Sequence, residues 1–275
     1  MSDEGPYGAL LETRVRVLTW NLWWRFGPEE RRRPAIAATL AALDPDVVAL
    51  QEVWGEAGGT NFAAELAEGL GFESAYAARL ELDGVQFGNA VLSRWPITSS
   101  TPTPLPAPPD ADEQRLVLRA DVDGPRGPLQ VFSTHLNWRF DHSAVRQQQV
   151  RAIAEVVAGA RPRTYPPVLC GDFNAVPDSD EIRMLTGRAA GPVEGLVFHD
   201  AWEAAGDGGP GHTWSNANPY AVLDLEPDRR IDYVLVGWPK AGGAGHVTSC
   251  EVVGTSPVDG VVPSDHYGVL AELRY

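Results

Sequence analysis

The amino-acid sequence predicts an α/β (α+β) fold, a sandwich of two packed mixed β-sheets flanked by helices. Three observations predict it. Strand-length apolar segments are numerous, helical segments are few, and the two interleave without the regular alternation of a doubly wound parallel sheet. With 275 residues, 44% of them apolar, the chain can bury a large core without disulfides or a structural metal. No internal repeat divides it. The expected organisation is a loose stretch over residues 1–13 and one domain over 14–275.

The segments follow in order. Arg14 to Trp20 (RVRVLTW) alternates polar and apolar residues and reads as a strand. Pro28 opens a helix along which Ile36, Leu40 and Leu43 share a face, and Asp44-Pro45 closes it. Its Arg31-Arg32-Arg33 run reads as a solvated face. Asp46 to Gln51 (DVVALQ) is a β-branched apolar run, expected as a buried strand. A second helix spans Asn61 to Leu70, stopped by Gly71. Strands are expected at 72–77, 86–92, 115–122 and 129–133, with the proline-rich Thr101 to Pro109 as a surface loop. His142 to Val157 is the clearest long helix, with Val145, Val150, Ile153 and Val157 near one face. A strand at 166–170 and a short helix near 180–185 come next. Residues 187–228 read as loops, and strands return at 230–236, 246–253 and 267–273.

Charge narrows the function classes. Lys and Arg total 22 against 37 Asp and Glu, a formal charge of −15. That disfavours long, passively held duplex DNA, whose attraction comes mostly from cations that neutralise phosphates. Phosphate chemistry remains open, because a bound divalent cation reverses the local field. The start, MSDEGP, lacks a signal peptide's basic and apolar regions, and no stretch has the roughly 18 apolar residues of a membrane helix. Two distant cysteines, Cys170 and Cys250, form neither a disulfide framework nor a zinc cluster. The expectation is a cytoplasmic monomer without stable membrane association.

Several polar groups fall just past strand ends, where loops on a rigid scaffold carry chemistry. Asn21 follows the first strand, and Gln51-Glu52 ends the second, where a carboxylate is either an exposed terminus or a hard-metal ligand. His135 and Asn137 lie two apart in Thr134-His135-Leu136-Asn137, so strand alternation places them on one side. Gly171-Asp172-Phe173-Asn174 reads either as an Asx-rich turn or as a site. In the second reading Asp172 activates water and Asn174 steadies a phosphoryl oxygen. Asp265 and His266 are adjacent, so their side chains diverge and form no triad with Ser264. A distant carboxylate such as Asp232, in Arg230-Ile231-Asp232-Tyr233, is the better partner for His266. No G-x-S-x-G, H-E-x-x-H or Walker A segment is present.

Taken together, this ordered set resembles the endonuclease/exonuclease/phosphatase superfamily, the DNase I-like fold, from about Arg14 to Tyr275. GDFN and the C-terminal SDH are its most specific marks, QE and RIDY support them, and TWN is the weakest. The resemblance implies a four-layer sandwich with a divalent-metal site at one end, Mg²⁺ or alternatively Mn²⁺, and hydrolysis of phosphate esters. It implies Glu52 as the principal metal ligand, with Asn21 beside it and Asp265 near or in the same shell. Asp172 would activate water, Asn174 would bind the scissile phosphate, and His266 paired with Asp232 would complete the attack or stabilise the transition state. His135 would contact the phosphate or assist the leaving group, a residue that abasic-site endonucleases typically replace.

Substrate identity stays open between a nucleotide or nucleic acid and an inositol-phosphate or phospholipid head group. A non-catalytic binding protein is the third alternative. Asn137, Trp138 and Arg139 follow one catalytic strand end, and Trp23 and Trp24 another. These aromatics with Arg139 either stack a base or sugar and grip a phosphate, or brace the loops. Residues 187–228, with His212, Trp214, Asn216 and Asn218, are expected to wall the cleft. Charge favours a small or locally gripped phosphoester.

Overall fold

Strand β1 (Arg14–Asn21) shows why the molecule has four layers. Val15 and Val17 point into one core, while Leu18 and Trp20, offset by one residue, point into another. Strand β2 (Val47–Glu56) repeats the pattern, with Val47 and Ala49 opposed to Val48 and Leu50. A strand apolar on both faces must be covered on both, here by a second sheet and by helices.

The computed structural model describes residues 5–108, 111, 113–161 and 164–275. Its remaining strands are β3 (Glu73–Leu82), β4 (Val85–Ser93), β5 (Ile97–Pro104), β6 (Leu116–Gly124), β7 (Gly127–His135), β8 (Val168–Asp172), β9 (Phe198–Asp200), β10 (Asp232–Gly237), β11 (Val247–Val253) and β12 (Gly268–Arg274). One six-stranded sheet runs β11-β12-β1-β2-β4-β3, the other β5-β6-β7-β8-β10-β9. Both are mixed: β1–β2 and β7–β8 are parallel and the other pairs antiparallel. Helices α1 (Glu29–Leu43) and α2 (Phe62–Leu70) cover the first sheet through Ile36, Leu40, Phe62 and Leu66. Helices α3 (Ser143–Gly159) and α4 (Asp180–Leu185) cover the second through Val150, Ile153, Val157 and Ile182. Asn61 caps α2 by accepting the Ala64 N–H, and Gly71 ends it in the left-handed conformation. A fifth helix, α5, is the short Ala201–Ala205 segment.

Two expectations need correction, the loop at Thr101 to Pro104 and the solvated Arg32. Thr101 to Pro104 belong to β5 rather than to a loop, since edge strands tolerate prolines that a central strand excludes. Pro109 lies outside the described residues. The 187–228 stretch contains β9 and α5, too short to leave a periodic signal. Arg32 is buried, not solvated. Ahead of β1, the Gly242 N–H donates to the Tyr7 carbonyl, the Leu11 N–H to the Gly242 carbonyl, and the Thr13 hydroxyl to the Tyr275 carbonyl. Residues 1–4 lie outside the described part.

Register places the site. The parallel pairs bring the ends of β1 and β2 together, with Asn21 opposite Gln51, and those of β7 and β8, with His135 opposite Asp172. Antiparallel β10 begins at the same level, with Asp232 opposite Asp172. Thr19 donates to Gln51, Gln51 to Ser133, and Ser133 to the Leu50 carbonyl, a buried polar stitch between the sheets next to these ends. Among the described residues no helix is long and apolar enough to cross a membrane.

Gly171 is required by close approach. A Cβ there would sit 2.1 Å from the Thr134 carbonyl oxygen, a backbone atom that cannot swing away. Gly171→Ala should therefore destabilise the fold by about 1–3 kcal/mol, read as a lowered midpoint in urea. Burial raises the Cys170 thiol well above its ordinary range and pushes Cys250 up to about 12. Neither should react with Ellman's reagent at pH 8 in the native protein, and both should react in guanidinium.

Candidate active site

A one-residue bulge aims Glu52. Leu50 pairs with Ala90 and Val53 with Gly88, so two β2 residues oppose one of β4. Glu52 takes φ 53° in that bulge. Asn174 is also left-handed, at φ 50°, just beyond β8. Two non-glycine residues held in this costly region flank one cleft, strain of the kind that positions functional side chains.

Asn21 joins the two sheets at their seam. Its amide N–H groups donate to Glu52 Oε1 at 3.1 Å and Asp172 Oδ2 at 3.0 Å. Its amide oxygen accepts the Trp23 N–H at 2.9 Å. In this arrangement Asn21 is a donor between two acids. Asp172 accepts the Asn174 N–H at 2.9 Å and lies 3.5 Å from His135 Nε2 and 3.8 Å from His266 Nε2. His266 Nδ1 meets Asp232 Oδ2 at 3.0 Å, the distant pairing expected from sequence. Ser264 Oγ donates to Asp265 at 3.2 Å.

These groups line one cavity of about 360 Å³, which contains Glu52, His135, Asp172, Asn174, Asp265 and His266 in its wall. Burial sets their electrostatics. It raises Glu52, against the Asn21 hydrogen bond and the His266, Arg115 and Arg32 charges. Burial, then the Asp232 charge, pushes Asp172 up to about 6. Burial pushes Asp265 up to about 7, with His266 opposing and Glu52 reinforcing. Burial alone would lower His266, but Asp232, Asp172 and Asp265 outweigh it and hold it well above the ordinary histidine value. His135 goes the other way, lowered by burial and then by the Arg115 and His266 charges.

Arg115 and Glu113 leave little mark in the sequence beyond lying two apart ahead of β6. Arg115 Nη1 lies 3.0 Å from His135 Nδ1. A guanidinium can only donate, so Nδ1 is the acceptor and the proton sits on Nε2. His135 thus faces the cavity as a neutral N–H donor. Arg115 is itself held by Glu113, which also accepts the Asn137 amide at 3.0 Å. Asn137 is fully buried behind Glu113 and off the cavity wall. Trp138 does line the cavity, half exposed, and Arg139 lies over its ring at 5.4 Å. Trp214 meets His266 edge-on at 4.9 Å and walls the cleft. Asn218 donates to the Ser264 and Asp265 carbonyls, while Asn216 holds Asp228. Buried Arg32 donates to the carbonyls of Leu22, Trp23, Trp24, Phe26 and Pro263, fixing the loop beyond β1.

The donor chemistry fits a hard divalent cation. Asp265 is buried and Glu52 half-buried, and the Glu52 charge raises the cost of ionising Asp265, which a cation relieves. Among the described residues Asp172, Asp232 and His266 form a second grouping, with ligand atoms all within 4.8 Å of one another. Asp232 Oδ1 is buried without a hydrogen-bond partner.

A strand-end cluster of acids and histidines spans the seam of the two mixed sheets. The chain belongs to the endonuclease/exonuclease/phosphatase family, whose description matches residues 18–266. It is 29% identical over 205 residues to the inositol phosphosphingolipids phospholipase C of Schizosaccharomyces pombe, covering 68% of this chain and 46% of that one. The chain therefore spans less than half the length of that relative. An endonuclease/exonuclease/phosphatase structure from Beutenbergia cavernae is 28% identical, with TM-score 0.70 over 95% of this chain and 71% of that one. The D. rerio TDP2 structure with a single-strand DNA product shares the fold at 21% identity, TM-score 0.76, over 96% of this chain and all of that one.

Arg115→Gln should free His135 to populate both neutral tautomers. Imidazole ¹⁵N shifts should move from a single Nε2–H pattern toward an average, and an unchanged pattern would refute the Arg115 constraint.

Proposed function

We propose that this chain is a divalent-metal-dependent phosphodiesterase that hydrolyses its substrate by in-line attack of water. One observation carries the reading: Glu52, Asp172, Asp265 and both histidines, drawn from both sheets, converge on a single cavity. The Schizosaccharomyces pombe relative is named for a lipid phosphodiester, and the D. rerio structure holds a DNA product. Both support phosphoester chemistry without choosing a substrate. A cavity of about 360 Å³ suits a lipid head group or a single nucleotide better than long duplex. A cytoplasmic monomer is the setting this reading assumes.

When bound, Mg²⁺ or Mn²⁺ supplies positive charge for the phosphoryl oxygens, and Glu52 and Asp265 would hold it with Asn21 alongside. The chain's own residues do the rest. Asp172, pushed up to about 6 and fixed by the Asn21 and Asn174 donors, orients the attacking water and takes its proton. His266, kept cationic by Asp232, donates to the phosphoryl group as it gains charge. Asn174 spends one amide N–H on the Leu136 carbonyl and keeps the other for a phosphoryl oxygen. His135, a neutral donor, binds a phosphoryl oxygen, and as the P–O ester bond opposite the attacking water breaks, the departing oxygen takes its proton from solvent at the open mouth of the cavity.

Hydrolysis of bis-p-nitrophenyl phosphate should vanish with EDTA and return with Mg²⁺ or Mn²⁺. Asp172→Asn and His266→Gln should each lower kcat by about 10²–10⁴-fold, and Glu52→Gln should raise the Mg²⁺ concentration for half-maximal rate. Full activity after exhaustive chelation would refute the metal-dependent reading.

A further inference from the structure

Six carboxylates, those of Glu52, Glu113, Asp172, Asp224, Glu226 and Asp265, stand in the wall of the catalytic cavity against three cationic groups, Arg115, Arg229 and His266. Each of the three cations has an acid of its own. Glu113 accepts from Arg115, Asp232 meets His266 Nδ1 at 3.0 Å, and Glu226 accepts from Arg229 Nη2. Arg115 is committed further, to His135 Nδ1. Even with two of the remaining acids offset by a divalent cation, such a wall tolerates one negative charge on a phosphoryl group better than two.

Arg229 is the cation placed to change that balance. Backbone bridges pair Trp214 with both Arg229 and His266, so Arg229 lies one strand step from the histidine. Its guanidinium rests 4.6 Å from the ring centroid of Phe140 and 5.8 Å from that of Trp214, whose ring meets His266 edge-on. Its Nε is buried without a hydrogen-bond partner. An arginine held flat on aromatic rings beside a phosphoryl site has the planar fork that grips phosphate oxygens in pairs. Here a carboxylate takes that place. Glu226 is itself held in position, since the Asn216 amide donates to its carbonyl at 2.8 Å and to Asp228 Oδ1 at 2.9 Å.

The charge of the phosphoryl group changes in the reaction. Water attacks a diester of one negative charge, one P–O ester bond breaks, and an alcohol leaves. The monoester left behind carries a new hydroxyl that ionises near neutral pH, so it departs with two charges. We infer that Glu226, by occupying Arg229, makes the cavity select singly charged phosphodiesters and refuse doubly charged monoesters, the reaction's own product included. Glu226 is thus a specificity-determining residue. It withholds the one arginine that a second phosphoryl charge needs, and it speeds release of product over rebinding. This rests on the phosphodiesterase reading and specifies which phosphoesters the cavity accepts.

The test reads binding without turnover. Phenylphosphonate and methyl(phenyl)phosphinate are nearly equal in size and have no ester bond to cleave, and at pH 8.5 the first carries two charges and the second one. Their dissociation constants are measured on the full chain with Mg²⁺ present, through quenching of the cavity tryptophans Trp23, Trp138 and Trp214. The proteins compared are wild type, Glu226→Asp, Glu226→Gln and Glu226→Gln/Arg229→Gln. Wild type should prefer the phosphinate, and Glu226→Asp should keep that preference. Glu226→Gln should move the ratio of the two constants toward the phosphonate by about tenfold or more, the effect of one unit charge inside the cavity. The double variant should return the ratio toward the wild-type value. Each ratio is internal to one variant, so a loss of folded protein does not imitate the effect. A wild type that binds the phosphonate as well as the phosphinate, an unchanged ratio in Glu226→Gln, or a shift that persists without Arg229 would overturn the inference. Failure of wild type to hydrolyse bis-p-nitrophenyl phosphate would sink the phosphodiesterase reading separately.

Discussion

Four carboxylates, those of buried Asp172, Asp232 and Asp265 and half-buried Glu52, crowd one end of a sandwich, and much of the architecture answers that burden. Charge taken out of water is costly unless it is paired and hydrogen-bonded. Asn21 donates to two of the four, His266 pairs with a third, and Ser264 donates to the fourth. Arg32 and Arg115 add positive charge that lowers Glu52. The polar stitch from Thr19 through Gln51 to Ser133 satisfies the seam immediately below. The two sheets must therefore close in one register, because a slip at β7–β8 or β8–β10 would separate His135, Asp172 and Asp232.

That crowding also sets the two histidines apart. Both are buried within 4 Å of Asp172, yet His266 is held cationic and His135 neutral. The difference is the group on Nδ1, a carboxylate for His266 and a guanidinium for His135. Two imidazoles facing one acid are thereby given separate tasks, charge stabilisation for one and neutral hydrogen bonding for the other.

Much of this was legible in the sequence. Polar/apolar alternation marked β1 as a strand and the continuous apolar run of β2 marked it as buried, and the strand-end positions of Glu52, His135, Asp172, Asn174, Asp232, Asp265 and His266 pointed to one end of the sandwich. The pairing of Asp232 with His266 followed from chemistry, because adjacent residues cannot face each other on a strand. Arg32 was hidden, since a run of three arginines on a helix gives no sign of which one turns inward to five carbonyls. Glu113 and Arg115 were hidden because their role depends on a strand pairing between β6 and β7. Asn137 lies beyond β7, which ends at His135, so strand alternation does not set its direction. The β5 prolines read as a loop because edge position, which permits them, is a property of the sheet.

The central claim is that the buried acids create a hard-cation site at the seam of the two sheets, between Glu52 and Asp265. Crystals grown with Mn²⁺ test it directly through the anomalous signal of the metal. A single strong peak bonded to carboxylate oxygens of Glu52 and Asp265 is the result expected. Manganese found only on surface acids, or bound by Asp172, Asp232 and His266 with Glu52 and Asp265 bare, would contradict it.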